Sequence, residues 1–264
     1  MRASYVSCLV AGGLAFTLAG STAQAAWMAP SGGWQLNYEA SGGDLPEAAS
    51  PAWTNSGYQS GNSGADNYVT ILADGVTSEQ ALYLGNTATS GQKWPIYDLT
   101  SGAGAGTASD KITLDFRFRL IDVPAGWQWG LAVNRPAAGG DRSYLFDFGT
   151  TGILNGNTFS FHGVSLGNDW HDARVLIDVA ANTADLYLDG SATAEYSITG
   201  TFTSGGTNND VWFGDGQGAV EGKVHLSYLR LTNNELASVV PEPASLGLLA
   251  LGGATMLMRR RRQA

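Results

Sequence analysis

The chain has 264 residues, with 14 basic and 23 acidic side chains for a net charge of −9, 36 glycines and a single cysteine. That acidic balance excludes nucleic acid or an anionic membrane face as the partner, because phosphate-rich surfaces are held by basic patches. The lone cysteine excludes a disulfide framework, so burial alone must hold the fold together.

Residues 1–25 predict a secretory signal peptide. Arg2 supplies the positive start, Tyr5 to Leu18 an apolar stretch, and Ala23-Gln24-Ala25 the small residues a signal peptidase reads at its cleavage point. The stretch is well short of the roughly 20 residues a bilayer-spanning helix needs. Cys8 lies before most of the apolar region, where a lipoprotein cleavage cysteine would not sit. Without residues 1–25 and 239–264 the chain loses five basic residues and one acidic residue. The remaining domain, 26–238, then stands at −13. Its length, about 210 residues, suits one all-β domain that buries enough surface without staples.

Between Trp27 and Leu236 helical periodicity is nearly absent, and alternation takes its place. The clearest run is 111–120. Ile112, Leu114, Phe116, Phe118 and Leu120 point one way, and Lys111, Thr113, Asp115, Arg117 and Arg119 the other, which predicts a long strand with one buried face. Further strands are predicted at 34–40, 68–73, 80–85, 128–134, 143–148, 158–163, 172–179, 184–188, 194–198, 211–214 and 223–231. The polar, glycine-rich stretch 56–66 reads as a surface loop. About a dozen short strands with no helix between them predict a two-sheet antiparallel sandwich or a barrel.

Three segments carry a family resemblance. Asn168-Asp169-Trp170-His171 opens an alternating strand to Val179. Ala184 to Leu188 follows as a second strand closed by Asp189-Gly190. Val211-Trp212-Phe213-Gly214-Asp215-Gly216 then precedes the strand ending at Leu231. This pattern resembles concanavalin A-like, laminin-G-type jelly rolls. The resemblance implies an all-β jelly-roll sandwich flanked by an N-terminal signal helix and a short C-terminal apolar helix. In such a fold Trp170 is expected to cap one end of the core.

The C-terminal segment, 239–264, has its own pattern. Val239-Val240 precedes Pro241-Glu242-Pro243, then an apolar stretch at 244–258, then Arg259, Arg260, Arg261 and Arg262. It resembles the PEP-CTERM sorting signal recognised by exosortases. Two prolines around Glu242 keep the backbone extended and free of internal hydrogen bonds, a form an enzyme can grip. As a helix, 244–258 spans roughly 22 Å, short of the roughly 30 Å hydrocarbon core. The arginines would stay cytoplasmic and leave the domain outside. The resemblance implies export, transient membrane insertion through 244–258, processing by exosortase, and a final place at the cell surface or in an extracellular matrix.

No catalytic residues are assigned. The domain's six glutamates, Glu39, Glu47, Glu79, Glu195, Glu221 and Glu235, include none two residues before an aspartate, so the one-strand carboxylate run of laminarinase-like enzymes is missing. His162, His171 and His225 lack metal-ligand spacing. The expectation is a non-catalytic binding or structural module, with exopolysaccharide as partner. A degenerate glycoside hydrolase or lyase, and a purely structural matrix protein, are the alternatives. Trp94 beside a loop and the row Asp115, Arg117 and Arg119 are the candidate ligand-binding residues, by ring stacking and charge-assisted hydrogen bonds. Trp127 and Trp129 share parity with Leu131 and Val133, so both are expected in the core. The laminin-G resemblance further implies calcium at the sandwich rim, with Asp141, Asp147, Asp210 and Asp215 as candidate oxygen ligands.

Overall fold

A computed structural model of the chain describes residues 27–48, 54–55, 59–60, 67–73, 80–86, 95–98, 110–121, 129–206, 208–214, 223–233 and 235–239. In chain order the strands are β1 (Leu36–Glu39), β2 (Thr54–Asn55), β3 (Gln59–Ser60), β4 (Asn67–Ala73), β5 (Gln80–Asn86) and β6 (Pro95–Asp98). Then come β7 (Lys111–Leu120), β8 (Trp129–Ala137), β9 (Gly140–Gly149), β10 (Gly152–Asn155), β11 (Ser160–Gly163) and β12 (Trp170–Asp178). The last are β13 (Thr183–Leu188), β14 (Tyr196–Thr199), β15 (Thr201–Ser204), β16 (Asp210–Gly214) and β17 (Lys223–Thr232). Two short 3-10 turns, Ala40–Gly42 and Pro46–Ala48, are the helical elements among the described residues.

The strands form two sheets. One has nine strands in the order β14-β13-β12-β7-β17-β5-β4-β3, with β1 also paired to β17. The other has eight, in the order β11-β10-β9-β8-β16-β6-β2, with β15 also paired to β9. Every pairing is antiparallel except the short parallel contact of β3 with β4.

Strand alternation turns one face of each sheet inward. On β7 the buried set is Ile112, Leu114, Phe116, Phe118 and Leu120, each at most 1 % exposed. These meet Trp129 of β8 and Phe148 of β9 from the facing sheet. Phe118 lies 5.3 Å from Trp129 and 4.9 Å from Phe148, ring centre to ring centre. Such aromatic contacts across the seam define a two-sheet sandwich with one continuous core.

Strand β17 carries an irregularity that its residues announce. Val224 and Leu226 are buried, and so are Leu229 and Leu231, which have the opposite parity. A bulge between Leu226 and Tyr228 inserts one residue and returns the second half of the strand to the core.

The alternating runs at 34–40, 68–73, 80–85, 111–120, 128–134, 143–148, 172–179, 184–188, 211–214 and 223–231 coincide with strands. Four strands escape that reading: β2, β6, β10 and β15. Each has two to four residues, too few for alternation to register. The predicted loop at 56–66 contains β3, because main-chain pairing with β4 asks nothing of its side chains. Trp129 is in the core as expected, while Trp127 lies outside the described residues. The signal segment and the apolar stretch 244–258 also lie outside them. Among the described residues no helix is long and apolar enough to cross a membrane.

Candidate functional site

The outward face of the nine-stranded sheet gathers most of the polar chemistry. Its order follows from strand register. Tyr83, His225, Arg119 and Trp170 are successive cross-strand neighbours on β5, β17, β7 and β12. One step along lie Tyr228, Arg117 and Asp172, and one step further Arg230, Asp115 and Arg174. All share the parity opposite to the buried residues of their strands, so each side chain rises from the same surface.

The first two rows are interlocked and partly open to solvent. The Arg117 guanidinium stacks on Trp170, 5.4 Å from the ring centre. Its Nε–H has no acceptor among the described residues. His225 stacks on Trp170 at 6.3 Å and meets Tyr83 edge-on at 5.4 Å. Arg119 Nε donates to the Asn168 carbonyl at 2.8 Å. The Tyr228 hydroxyl donates to Asp172 at 2.9 Å, and Arg230 covers its ring at 4.2 Å. Burial, then the charge of Asp172 and this hydrogen bond, push the Tyr228 hydroxyl well above the usual phenol range.

The third row is closed. Arg174 donates from Nε and Nη2 to both oxygens of Asp115, each at 2.7 Å, in a bidentate pair with Arg174 fully buried. Burial pushes the Asp115 carboxyl above its ordinary value, and the hydrogen bonds and charge of Arg174 only partly counter it. The two ends of the described chain form the lid. Trp27 covers the Arg174 guanidinium at 5.3 Å and donates from Nε1 to the Ser191 carbonyl at 2.8 Å. From the other end Arg174 also binds the Ser238 carbonyl. Thr113 donates to the Glu235 carbonyl at 2.8 Å and accepts from Ala237 N–H at 2.9 Å. The Glu235 carboxylate takes hydrogen bonds from Ser31, which joins the two ends to each other.

These contacts correct the expected row of Asp115, Arg117 and Arg119. The three do share one face, but Asp115 is 7 % exposed and committed to Arg174, so only the two arginines border open surface. Trp94 lies outside the described residues. So do Asp215, Ala23, Ala25, Pro241, Glu242, Pro243, Arg259, Arg260, Arg261 and Arg262.

The calcium reading needs a correction too. Asp141 and Asp147 sit six residues apart on β9, roughly 20 Å at 3.4 Å per residue, too far to share an ion. Asp141 accepts the Asn208 N–H at 3.1 Å, and Asp210 accepts from Asn134 at 2.6 Å. Asp147 is fully buried between Gly130 and Gly156, where a Cβ would collide with its carboxylate. The donors do not converge. Among the described residues no three His, Cys, Asp or Glu side chains could hold a metal together.

Trp170 is also not the expected core cap, since its parity puts it outside. Its neighbour His171 meets the core instead, 5.9 Å from Phe118. His171 Nδ1 lies 2.8 Å from Asp189 and Nε2 lies 2.7 Å from the Leu166 carbonyl. Both partners are acceptors, and although burial opposes the charge, these hydrogen bonds favour the doubly protonated ring and raise its pKa. Asp189 accepts the Asp172 N–H as well, and with Gly190 it turns the chain at positive φ, 51° and 76°. The Trp-His and Asp-Gly pairs of the sequence are therefore one polar clasp across β12 and β13. Sequence reasoning missed Trp170 and Tyr228 as residues of this outer face, with the buried His225 beneath them. Extending the alternation of Ala173, Val175 and Ile177 back by two positions would have placed Trp170 on the outer face.

The structure defines an all-β, two-sheet sandwich that presents an aromatic and arginine-lined face beside the paired segments at residues 27–31 and 235–238. Residues 239–262 match the PEP-CTERM protein-sorting motif, so the chain is an exported protein whose tail implies processing by exosortase. A comparison with curated proteins finds no match. Among solved structures, a carbohydrate esterase from the Shiga toxin-encoding bacteriophage phi24B is similar at 14 % identity and a TM-score of 0.52, over 76 % of this chain and 99 % of that one. Domain 4 of an extracellular arabinanase from Geobacillus stearothermophilus matches at 13 % identity and a TM-score of 0.44, over 77 % and 94 %. A xylan-binding domain from Paenibacillus barcinonensis matches at 11 % and 0.39, over 77 % and 96 %. The first of these similarities supports the β-sandwich fold and nothing further.

Proposed function

We propose that the chain is a surface or extracellular-matrix protein whose concanavalin A-like jelly roll is a non-catalytic module for polysaccharide. In this reading residues 1–25 are removed on export. The tail holds the protein briefly in the inner membrane through 244–258 before exosortase acts, and exopolysaccharide is the partner outside. The observation that carries the reading is the Arg117–Trp170 stack on the open part of the sheet face. The indole holds the Arg117 guanidinium at the surface, where it can offer charge-assisted hydrogen bonds to a glycan. With Arg119 alongside, the face favours a polysaccharide bearing carboxylate groups.

The state of the carboxylates supports a binding role over catalysis. Asp115 is locked by Arg174, and Asp172 already accepts the Tyr228 hydroxyl. Neither is held as the free pair that glycoside hydrolysis requires. The test is binding of the mature protein to the producing cell's exopolysaccharide and to polyuronates, with and without calcium. Binding that is insensitive to calcium and lost in Arg117→Ala is expected. Depolymerisation of the glycan by the wild type would overturn the non-catalytic reading.

A further inference from the structure

A second site lies at the margin of the sandwich, where the edge strand β14 of the nine-stranded sheet faces β11 and the 155–160 loop of the other sheet. A cleft of about 350 Å³ opens there, within the range of small-ligand sites. Its walls include Asn155, Thr158, Ser160, Thr183, Tyr196 and Thr199, and among the described residues no charged side chain lines it. The hydroxyls of Thr183 and Thr199 make no hydrogen bond to another described residue.

The walls are held in place by contacts that tie the two sheets. The Tyr196 hydroxyl donates to the Ser160 carbonyl at 2.8 Å. Its ring stacks on His162 with centres 5.1 Å apart and planes 14° off parallel, and His162 Nε2 in turn sits 2.9 Å from Glu195. Between the lining residues Thr158 and Ser160 stands Phe159, 68 % exposed and at φ 58°. Hydroxyl and amide groups with no net charge suit the hydroxyls of a neutral sugar, and the exposed Phe159, between two lining residues in the chain, adds an apolar ring to the same loop. A carboxylated glycan would find no cation to pair with among the described lining residues.

We infer that this edge cleft is a binding site for neutral saccharide, separate from the Arg117 face. It does not depend on that face binding anything. The test uses the mature protein and four neutral probes, cello-, xylo-, manno- and laminarihexaose, by isothermal titration. Thr199→Arg fills the cleft from an exposed position, and Phe159→Ala removes the exposed ring between the lining residues Thr158 and Ser160. At least one probe should bind the wild type, and each variant should weaken it tenfold or more, with the circular dichroism spectrum unchanged. Polyuronate binding should be the same in Thr199→Arg as in the wild type. The inference is overturned if none of the four probes binds, or if both variants bind as the wild type does. Failure of the proposed function would show separately, as absence of polyuronate binding in the wild type.

Discussion

Arg174 is a full positive charge with no exposure to water, and its partner Asp115 is raised in pKa despite that charge. The burial of the pair therefore outweighs its internal attraction, the usual balance for a dry ion pair. Arg174→Met would strand the Asp115 carboxylate and cost about 3–5 kcal/mol in urea unfolding, whereas Asp115→Leu with Arg174→Met should recover most of that loss. An equal loss in the double variant would mean that the Arg174 contacts with Trp27 and the Ser238 carbonyl, not the charge, carry the cost. His171 gives a second residue-scale prediction. Burial alone would lower its pKa, but hydrogen bonds to Asp189 and the Leu166 carbonyl, with the charges of Asp189 and Asp169, raise it above 6.5. The native state thus keeps the proton longer than the unfolded chain. Its stabilisation is full below about pH 6.5 and fades as pH rises through the folded value. Thermal melts of wild type and His171→Gln should differ most near about pH 5.5 and converge toward about pH 9; a gap that widens with pH would refute the clasp.

At the scale of elements, long strands wrote themselves into the sequence through alternation, and β7 shows it most clearly. What alternation could not say is what lies on the polar side. Thr113 and Asp115 have the parity of solvent-facing residues, yet they are 0 % and 7 % exposed because Trp27 and residues 235–238 cover them and Arg174. That contact joins residues more than 120 positions apart, a separation no local pattern encodes. The short strands β2, β6, β10 and β15 were hidden for another reason, since main-chain pairing leaves no side-chain signature in so few residues. The candidate site was half visible: Arg117 and Arg119 were on the page, but Trp170 and Tyr228 needed the register. The β17 bulge offers a direct check. Deleting Ser227 removes the extra residue, so Val224 and Leu226 can no longer face the core together with Leu229 and Leu231. The deletion should yield insoluble protein, and Ser227→Ala should not. A soluble, cooperatively unfolding deletion variant would count against the bulge.

For the whole molecule, the two ends of the sandwich are fastened to each other and to Arg174, and the sorting motif begins at the next residue after Ser238. The domain would therefore be held close to whatever the tail enters. Intact mass of the envelope-associated protein should lack residues 1–25 and the Arg259–Arg262 cluster, and a mass retaining Met1 and Ala264 would contradict the processing scheme. A charge of −13 over residues 26–238 would make any attraction to an acidic glycan a local matter for Arg117 and Arg119. The central claim, a polysaccharide-binding face built on Arg117 and Trp170, is tested most directly by comparing wild type and Arg117→Ala on immobilised exopolysaccharide. Saturable binding by the wild type and a loss of tenfold or more in the variant, with the fold intact, is the predicted result. Equal binding by both proteins, or none by the wild type, would contradict it.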